Sequence, residues 1–189
     1  MYIARMLYPV EVLGPGQRVG IWTSGCNKRC RNCISPDLLE QKEDQKVSPE
    51  TVLAMIRKIQ ESGKIDGFTI SGGEPFLQIN ELYELLAEIR KISNDILVYT
   101  GYTLDELGSK SHESVQECFT MIGVLVDGEY IDERNTDAVL RGSDNQQIHI
   151  FNEQLKDRYN EYCSKRQNKL QSFVSGDSVI TVGIRKRIE

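Results

Sequence analysis

The chain has 189 residues, enough for one well-buried core and short for two. Hydrophobic residues make up 39% and charged residues 27%, the balance of an ordinary globular protein, which excludes disordered and fibrous classes. The formal net charge of -5 argues against a general nucleic-acid binder, no apolar run approaches the roughly 20 residues that cross a bilayer, and the N-terminus lacks a signal-peptide pattern, so neither a nucleic-acid nor a membrane partner is expected and the location is read as cytoplasmic.

Residues 2–8 and 18–24 read as strands joined through the turn Gly14-Pro15-Gly16. Directly after the second comes GCNKRCRNC, which places Cys26, Cys30 and Cys33 at C-x3-C-x2-C spacing. Ser48 and Pro49 open a helix as N-cap and first helical residue, and Val52, Met55, Ile56 and Ile59 continue it at helical period. A short apolar strand, 67–71, runs into Gly72-Gly73-Glu74-Pro75. A second helix is expected from about Asn80 to Ile92, with Leu82, Leu85, Leu86 and Ile89 on one face. Strands follow at 96–100 and 122–128, with Thr103 capping a short helical turn between them. Residues 153–170 read as a strongly polar helix and 172–184 as a hairpin about Ser175-Gly176-Asp177.

Strands alternating with helices imply an α/β fold with a parallel sheet covered by helices. In such folds the loops after the C-terminal ends of the strands carry the site. The cysteine loop, the Gly-Gly-Glu-Pro turn, Thr100-Gly101-Tyr102 and Asp127-Gly128 all sit at such ends and are expected to converge. The simplest partition is one domain over residues 1–151 with a C-terminal helix and hairpin extension, 152–189, packed on it.

Five cysteines, three of them within eight residues, do not suit a secreted disulfide framework. Three thiolates hold three corners of a 4Fe-4S cluster and leave one iron open for chemistry. The open iron suits a ligand that chelates through an amine and a carboxylate, and the amine then needs acceptors from the protein. The backbone of Gly72 and Gly73 and the carboxylate of Glu74 are suitable groups, although the same turn is also an ordinary way to leave a strand. A non-catalytic alternative puts zinc or an electron-transfer cluster on the same cysteines, with Cys118 or Cys163 as a distant fourth ligand; both otherwise read as buried structural thiols. Lys28, Arg29 and Arg31 either draw an acidic electron donor to the loop or offset the charge of an anionic cluster. Trp22 reads as core, and His112 and His149 have no partners at ligand spacing.

The cysteine loop, opened by Gly25, together with the Gly72-Gly73-Glu74 turn resembles the radical S-adenosylmethionine superfamily. Gly14-Pro15-Gly16-Gln17-Arg18-Val19 running into Ser24-Gly25-Cys26 resembles the N-terminus of activating enzymes for glycyl-radical enzymes. Tyr99 to Leu107, Val124 to Gly128 and Arg141 to Gln146 resemble segments of the activases of anaerobic ribonucleotide reductase. The resemblance runs in consistent order over about residues 10–150. It implies a partial (βα) barrel of radical S-adenosylmethionine type, with a parallel sheet, helices outside and a C-terminal extension. It implies that Cys26, Cys30 and Cys33 ligate three irons and that Gly72, Gly73 and Glu74 contact the methionine amine, with Thr100 near the ribose and Val124 or Leu125 near the adenine. The implied reaction is reductive cleavage of S-adenosyl-L-methionine to a 5′-deoxyadenosyl radical, which takes a hydrogen atom from a glycine of a partner glycyl-radical enzyme, anaerobic ribonucleotide reductase first. A flavodoxin or ferredoxin would supply the electron. Two features depart from the pattern: Asn32 stands where many superfamily members have an aromatic, and the chain continues past Asn152, where short activases are expected to end. That tail keeps open a second reading, a small radical enzyme enclosing a small molecule or peptide.

Overall fold

The computed structural model describes residues 1–110, 112–165 and 167–185. Strand β1, Ile3–Val10, turns back through the Gly14–Gly16 loop and pairs antiparallel with β2, Arg18–Thr23, with Met6 opposite Ile21. Helix α1, Pro49–Ser62, starts as expected: the Ser48 side chain accepts from the Thr51 amide at 3.3 Å and Pro49 takes the first helical position. It returns the chain to β3, Gly67–Gly72, parallel to β2 with Thr23 opposite Gly72. A 3-10 turn over Pro75–Gln78 leads into α2, Ile79–Ile89, one turn shorter at its C-terminal end than the apolar pattern predicts. Strands β4, Ile96–Tyr99, and β5, Val124–Asp127, continue the parallel ladder. Between them lie α3, Leu104–Gly108, closed by a Thr103–Glu106 capping box, and α4, Glu113–Met121.

Strand β6, Gln147–Ile150, pairs antiparallel with β5 and completes a six-stranded sheet in the order β1 to β6. The sheet is therefore mixed, with four parallel strands between two antiparallel edges, and it does not close on itself. The sequence reading anticipated neither the β6 strand nor the antiparallel edges.

Alternation along the strands sorts two cores. Val19, Ile21, Phe68, Ile70, Ile96, Val98 and Leu125 face α1, α2 and α4, meeting Ile56, Leu82, Leu86, Ile89 and Cys118. Leu97, Val124 and Val126 face the other way, against Leu155 and the tyrosines of α5, Lys156–Lys165. The segment expected to be a strongly polar helix over 153–170 begins with a 3-10 turn, ends by Lys165 and covers this second face. Its anchor is buried: the Tyr159 hydroxyl donates to Asp95 Oδ1 at 2.6 Å, and Asp95 also pairs with the fully buried Arg18 at 3.0 Å and with Arg158 at 3.3 Å. Strands β7, Gln171–Ser175, and β8, Ser178–Val182, form the expected hairpin as a separate two-stranded sheet. Phe173, Ile180, Val182 and Ile184 lay it against Val10, Leu13 and Trp22. Among the described residues no helix is long and apolar enough to cross a membrane.

Candidate active site

The parallel register brings the expected loops together. Because Thr23 pairs with Gly72, the cysteine loop and the glycine turn leave the sheet side by side. The Gly73 amide donates to the Thr23 carbonyl and the Glu74 amide to the Gly25 carbonyl, both at 2.8 Å. There is no space for side chains at this junction: a Cβ on Gly72 would overlap the Thr23 carbonyl oxygen, and one on Gly73 the Gly25 carbonyl oxygen. Gly72 also has φ +110, which L side chains rarely adopt.

Glu74 is 1% exposed and takes part in three hydrogen bonds as acceptor. Its Oε1 accepts from Thr100 Oγ1 at 2.9 Å and the Phe76 amide at 3.0 Å, and its Oε2 from the Gly101 amide at 2.7 Å. Burial pushes this carboxyl up while the three donors favour its charged form. Thr100 therefore lies in the site, bonded to Glu74. Val124 and Leu125 do not line it: both are fully buried, in the cores on opposite faces of the sheet.

A cavity of about 260 Å³ opens over these loops and is lined by Cys26, Cys30 and Cys33 with Gly72, Gly73, Glu74, Thr100 and Gly101. All three thiols are free and partly exposed. Burial pushes the Cys30 thiol up to about 11 and raises that of Cys33, with the neighbouring cysteines adding to both shifts. Among the described residues no three His, Cys, Asp or Glu side chains are arranged to hold a single metal ion. Cys118 lies on the buried face of α4 and Cys163 packs with the α5 core; neither lines the cavity. Three thiols on one cavity wall beside a side-chain-free cradle fit a cluster held at three irons.

The loop between the cysteines is held by its polar residues. Arg29 and Asn32 have φ of 49 and 54, a region that asparagine tolerates, and Asn32 Nδ2 donates to Asp132 Oδ2 at 2.8 Å. The residue that departs from the superfamily pattern thus ties the loop to the β5–β6 connection. Each of the three cations has an acidic partner: Lys28 with Glu106 at 3.2 Å, Arg29 with Glu40 at 2.5 Å and Arg31 with Glu133 at 3.4 Å. Lys28 Nζ and Lys110 Nζ also lie 4.3 and 3.6 Å from the Tyr102 ring centroid, and Asn27 donates to the Tyr102 hydroxyl at 2.7 Å.

Several lining residues carried no role in the sequence reading. Gln146 closes the Arg141–Gln146 loop on itself, accepting from the Gly142 amide at 2.7 Å and donating to the Gly128 carbonyl at 2.8 Å. Trp22, expected as core, is both 6% exposed and part of the cavity wall. Thr181, Val182, Gly183 and Ile184 reach the cavity from the far end of the chain. No local motif marks these four, since their place depends on contacts across most of the sequence. His149 Nε2 lies 3.1 Å from Asp127 Oδ2, away from the cavity lining.

A family model described as a 4Fe-4S single cluster domain matches residues 12–149. The chain is similar to the anaerobic ribonucleoside-triphosphate reductase-activating protein of Vibrio cholerae, 33% identical over 152 residues, covering 76% of this chain and 95% of that one. Its counterpart in Salmonella typhi is 32% identical over 150 residues, covering 75% of this chain and 94% of that one. The pyruvate formate-lyase-activating enzyme of Staphylococcus aureus is 32% identical over 160 residues, covering 77% of this chain and 60% of that enzyme.

Proposed function

The chain belongs to the 4Fe-4S single cluster domain family that includes the anaerobic ribonucleoside-triphosphate reductase-activating proteins, and from that premise we propose that it installs a glycyl radical on such a reductase. Its cofactors are a 4Fe-4S cluster and S-adenosyl-L-methionine, and it is an enzyme of the radical S-adenosylmethionine activase type. The observation that carries the proposal is the meeting of three free thiols, a side-chain-free glycine cradle and a buried carboxylate in one cavity.

When bound, the cluster supplies the electron for reductive cleavage of S-adenosylmethionine, whose deoxyadenosyl carbon takes the hydrogen atom from the target glycine. The chain's own residues bind, orient and shield. Cys26, Cys30 and Cys33 give up their protons and hold three irons. Gly72 and Gly73 keep the backbone low enough for the methionine amine to reach its carbonyls, and Glu74 adds a buried carboxyl fixed by three hydrogen bonds nearby. Thr100 holds that carboxylate in place beside the expected ribose position. Leu13 and Trp22 keep water from the cavity's apolar part.

Several finer points belong to the same proposal. The six-stranded sheet is the core of a partial barrel of radical S-adenosylmethionine type, formed by residues 1–151, with 152–189 as an extension of the same domain; residues 186–189 and 166 lie outside the described residues. The protein works in the cytoplasm. A flavodoxin or ferredoxin docks over the cysteine loop, where Arg29 and Arg31, with side chains 56% and 83% exposed, exchange their present acidic partners for those of the donor, while Lys28 stays on Tyr102. One observation favours the reading of an enzyme that encloses a small molecule or peptide: the C-terminal segment does line the cavity. Mixing the reduced protein, S-adenosylmethionine and an anaerobic ribonucleoside-triphosphate reductase decides between them. A glycyl radical signal in electron paramagnetic resonance supports the activase, and cofactor cleavage without that signal contradicts it.

A further inference from the structure

The resemblance puts the adenine near Val124 or Leu125, and neither lines the cavity, so the purine needs another seat. The sulfonium takes its electron from the cluster and carries the nucleoside on the carbon that is released, so that seat lies close to the cysteine loop. Among the described residues, the aromatic side chains on the cavity lining belong to Trp22, Tyr99 and Tyr130. Trp22 is 6% exposed and packs under the hairpin, and Tyr99 packs against both C-terminal cores with its hydroxyl buried. Tyr130, in the β5–β6 connection, is half-buried, and its backbone amide donates to the Cys30 sulfur.

The Tyr130 ring is held by its hydroxyl, which donates to Asp132 Oδ1 at 2.8 Å and accepts from Asn135 Nδ2 at 3.4 Å. The other oxygen of Asp132, a residue 7% exposed, accepts from Asn32 Nδ2 at 2.8 Å. Bare backbone makes room for the ring: a Cβ on Gly142 would come within 3.0 Å of Tyr130 Cδ2 and 3.4 Å of Ile34 Cδ1, and all three residues line the cavity. Asn32 stands where many superfamily members have an aromatic. Here the position offers no ring of its own. Through one carboxylate it holds a ring that comes from a loop about a hundred residues further along the chain. An aromatic side chain fixed at its polar tip keeps its apolar body in place before a ligand arrives, which lowers the entropic cost of seating one.

We propose that Tyr130 seats the purine of S-adenosyl-L-methionine on its ring, and that Asn32 is a positioning residue that holds this ring to the cysteine loop through Asp132. The inference rests on the cofactor assignment of the proposed function and adds to it the residues for the nucleoside end. A purine has an aromatic face whatever its edge bonds to, so a tyrosine ring gives it contact without a fixed hydrogen-bond pattern. The arrangement divides the labour within the cavity. The glycine cradle and Glu74 serve the methionine end, and the β5–β6 connection serves the purine.

The test is equilibrium dialysis of the cluster-loaded protein without reductant, so that the cofactor binds and is not cleaved. Three ligands are compared: S-adenosylmethionine; 5′-methylthioadenosine, which keeps the purine and lacks the amine and carboxylate; and methionine, which keeps those and lacks the purine. Tyr130→Ala is expected to weaken the two purine ligands about tenfold or more and to leave methionine within about twofold. Tyr130→Phe and Asn32→Ala keep the ring and loosen it, so they are expected to weaken the purine ligands about two- to threefold and methionine not at all. Unchanged purine affinity in Tyr130→Ala overturns the proposal, as does an equal loss for methionine or a wild type that does not bind methylthioadenosine. Unchanged purine affinity in Asn32→Ala overturns the part given to Asn32. Iron per chain reports assembly, and if Tyr130→Ala loses iron, Tyr130→Leu carries the test with an expected loss of about threefold or more. A wild type that assembles its cluster and binds no S-adenosylmethionine overturns the proposed function instead.

Discussion

Glu74 joins two loop systems through one carboxylate. Glu74→Gln keeps its volume but puts an amide NH2 where one oxygen accepts, so it faces either the Gly101 amide or the Phe76 amide, and neither backbone N–H can reverse its role. A buried donor left unsatisfied costs about 1–3 kcal/mol, so S-adenosylmethionine affinity is expected to fall about five- to hundredfold while iron content holds, as equilibrium dialysis would read. Gly73→Ala acts differently: its Cβ meets backbone at the Gly25 carbonyl, which cannot swing aside as a side chain would. It is expected to abolish cluster assembly, measured as iron per chain, with far-ultraviolet circular dichroism close to wild type. Away from the site, Asp66 has its carboxyl held low by the Lys64 ammonium at 2.7 Å and the Gln17 amide at 2.9 Å. A carboxyl whose folded value lies below its unfolded one stabilises fully above about pH 4 and loses that contribution as pH falls through the lowered value. Asp66→Asn should therefore lower stability at neutral pH and flatten its decline on the acid side, seen in urea melts across pH.

Two elements carry more than their sequences suggested. Tyr102, in the loop after β4, is gripped by Lys28 and Lys110 and bonded by Asn27, while its carbonyl accepts from the Gly128 amide at 2.9 Å. The loop that serves Glu74 thus also clamps the cysteine loop. Tyr102→Phe removes the Asn27 bond and keeps the ring, whereas Tyr102→Leu removes both. The cluster's paramagnetic resonance line shape is expected to broaden in Tyr102→Leu and to be largely restored in Tyr102→Phe. Helix α5 reads as strongly polar because its buried face is made of tyrosines within a charged stretch, and Tyr159 is 1% exposed on the Arg18–Asp95 pair. Breaking a buried pair from one side costs about 3–5 kcal/mol, so Asp95→Ala should lose that much in denaturant unfolding and expose α5 to early hydrogen exchange. Strand β6 was missed for a related reason: Gln147–Ile150 is four residues long and only its pairing with β5 makes it a strand.

At the scale of the whole molecule, the chemistry was legible wherever it depends on neighbours in sequence. Three thiols in one loop and two glycines before a carboxylate are local demands, and parallel pairing of β2 with β3 brings them together. Val124 and Leu125, which the resemblance puts near the adenine, are sent to opposite cores by strand alternation, and neither is among the residues that line the cavity. The wall from Thr181 to Ile184 was beyond local reading because its position follows from hairpin packing on residues near the N-terminus. The hairpin itself was readable from its turn; what it covers was not. The central claim is that this cavity assembles a cluster at Cys26, Cys30 and Cys33 and cleaves S-adenosylmethionine there. The most direct measurement is anaerobic reconstitution with iron and sulfide, followed by dithionite, S-adenosylmethionine and assay of 5′-deoxyadenosine. The account predicts its release by the wild type and by a Cys118→Ser/Cys163→Ser variant, and loss on replacing any one of the three loop cysteines. A fully assembled cluster that releases no 5′-deoxyadenosine would contradict it.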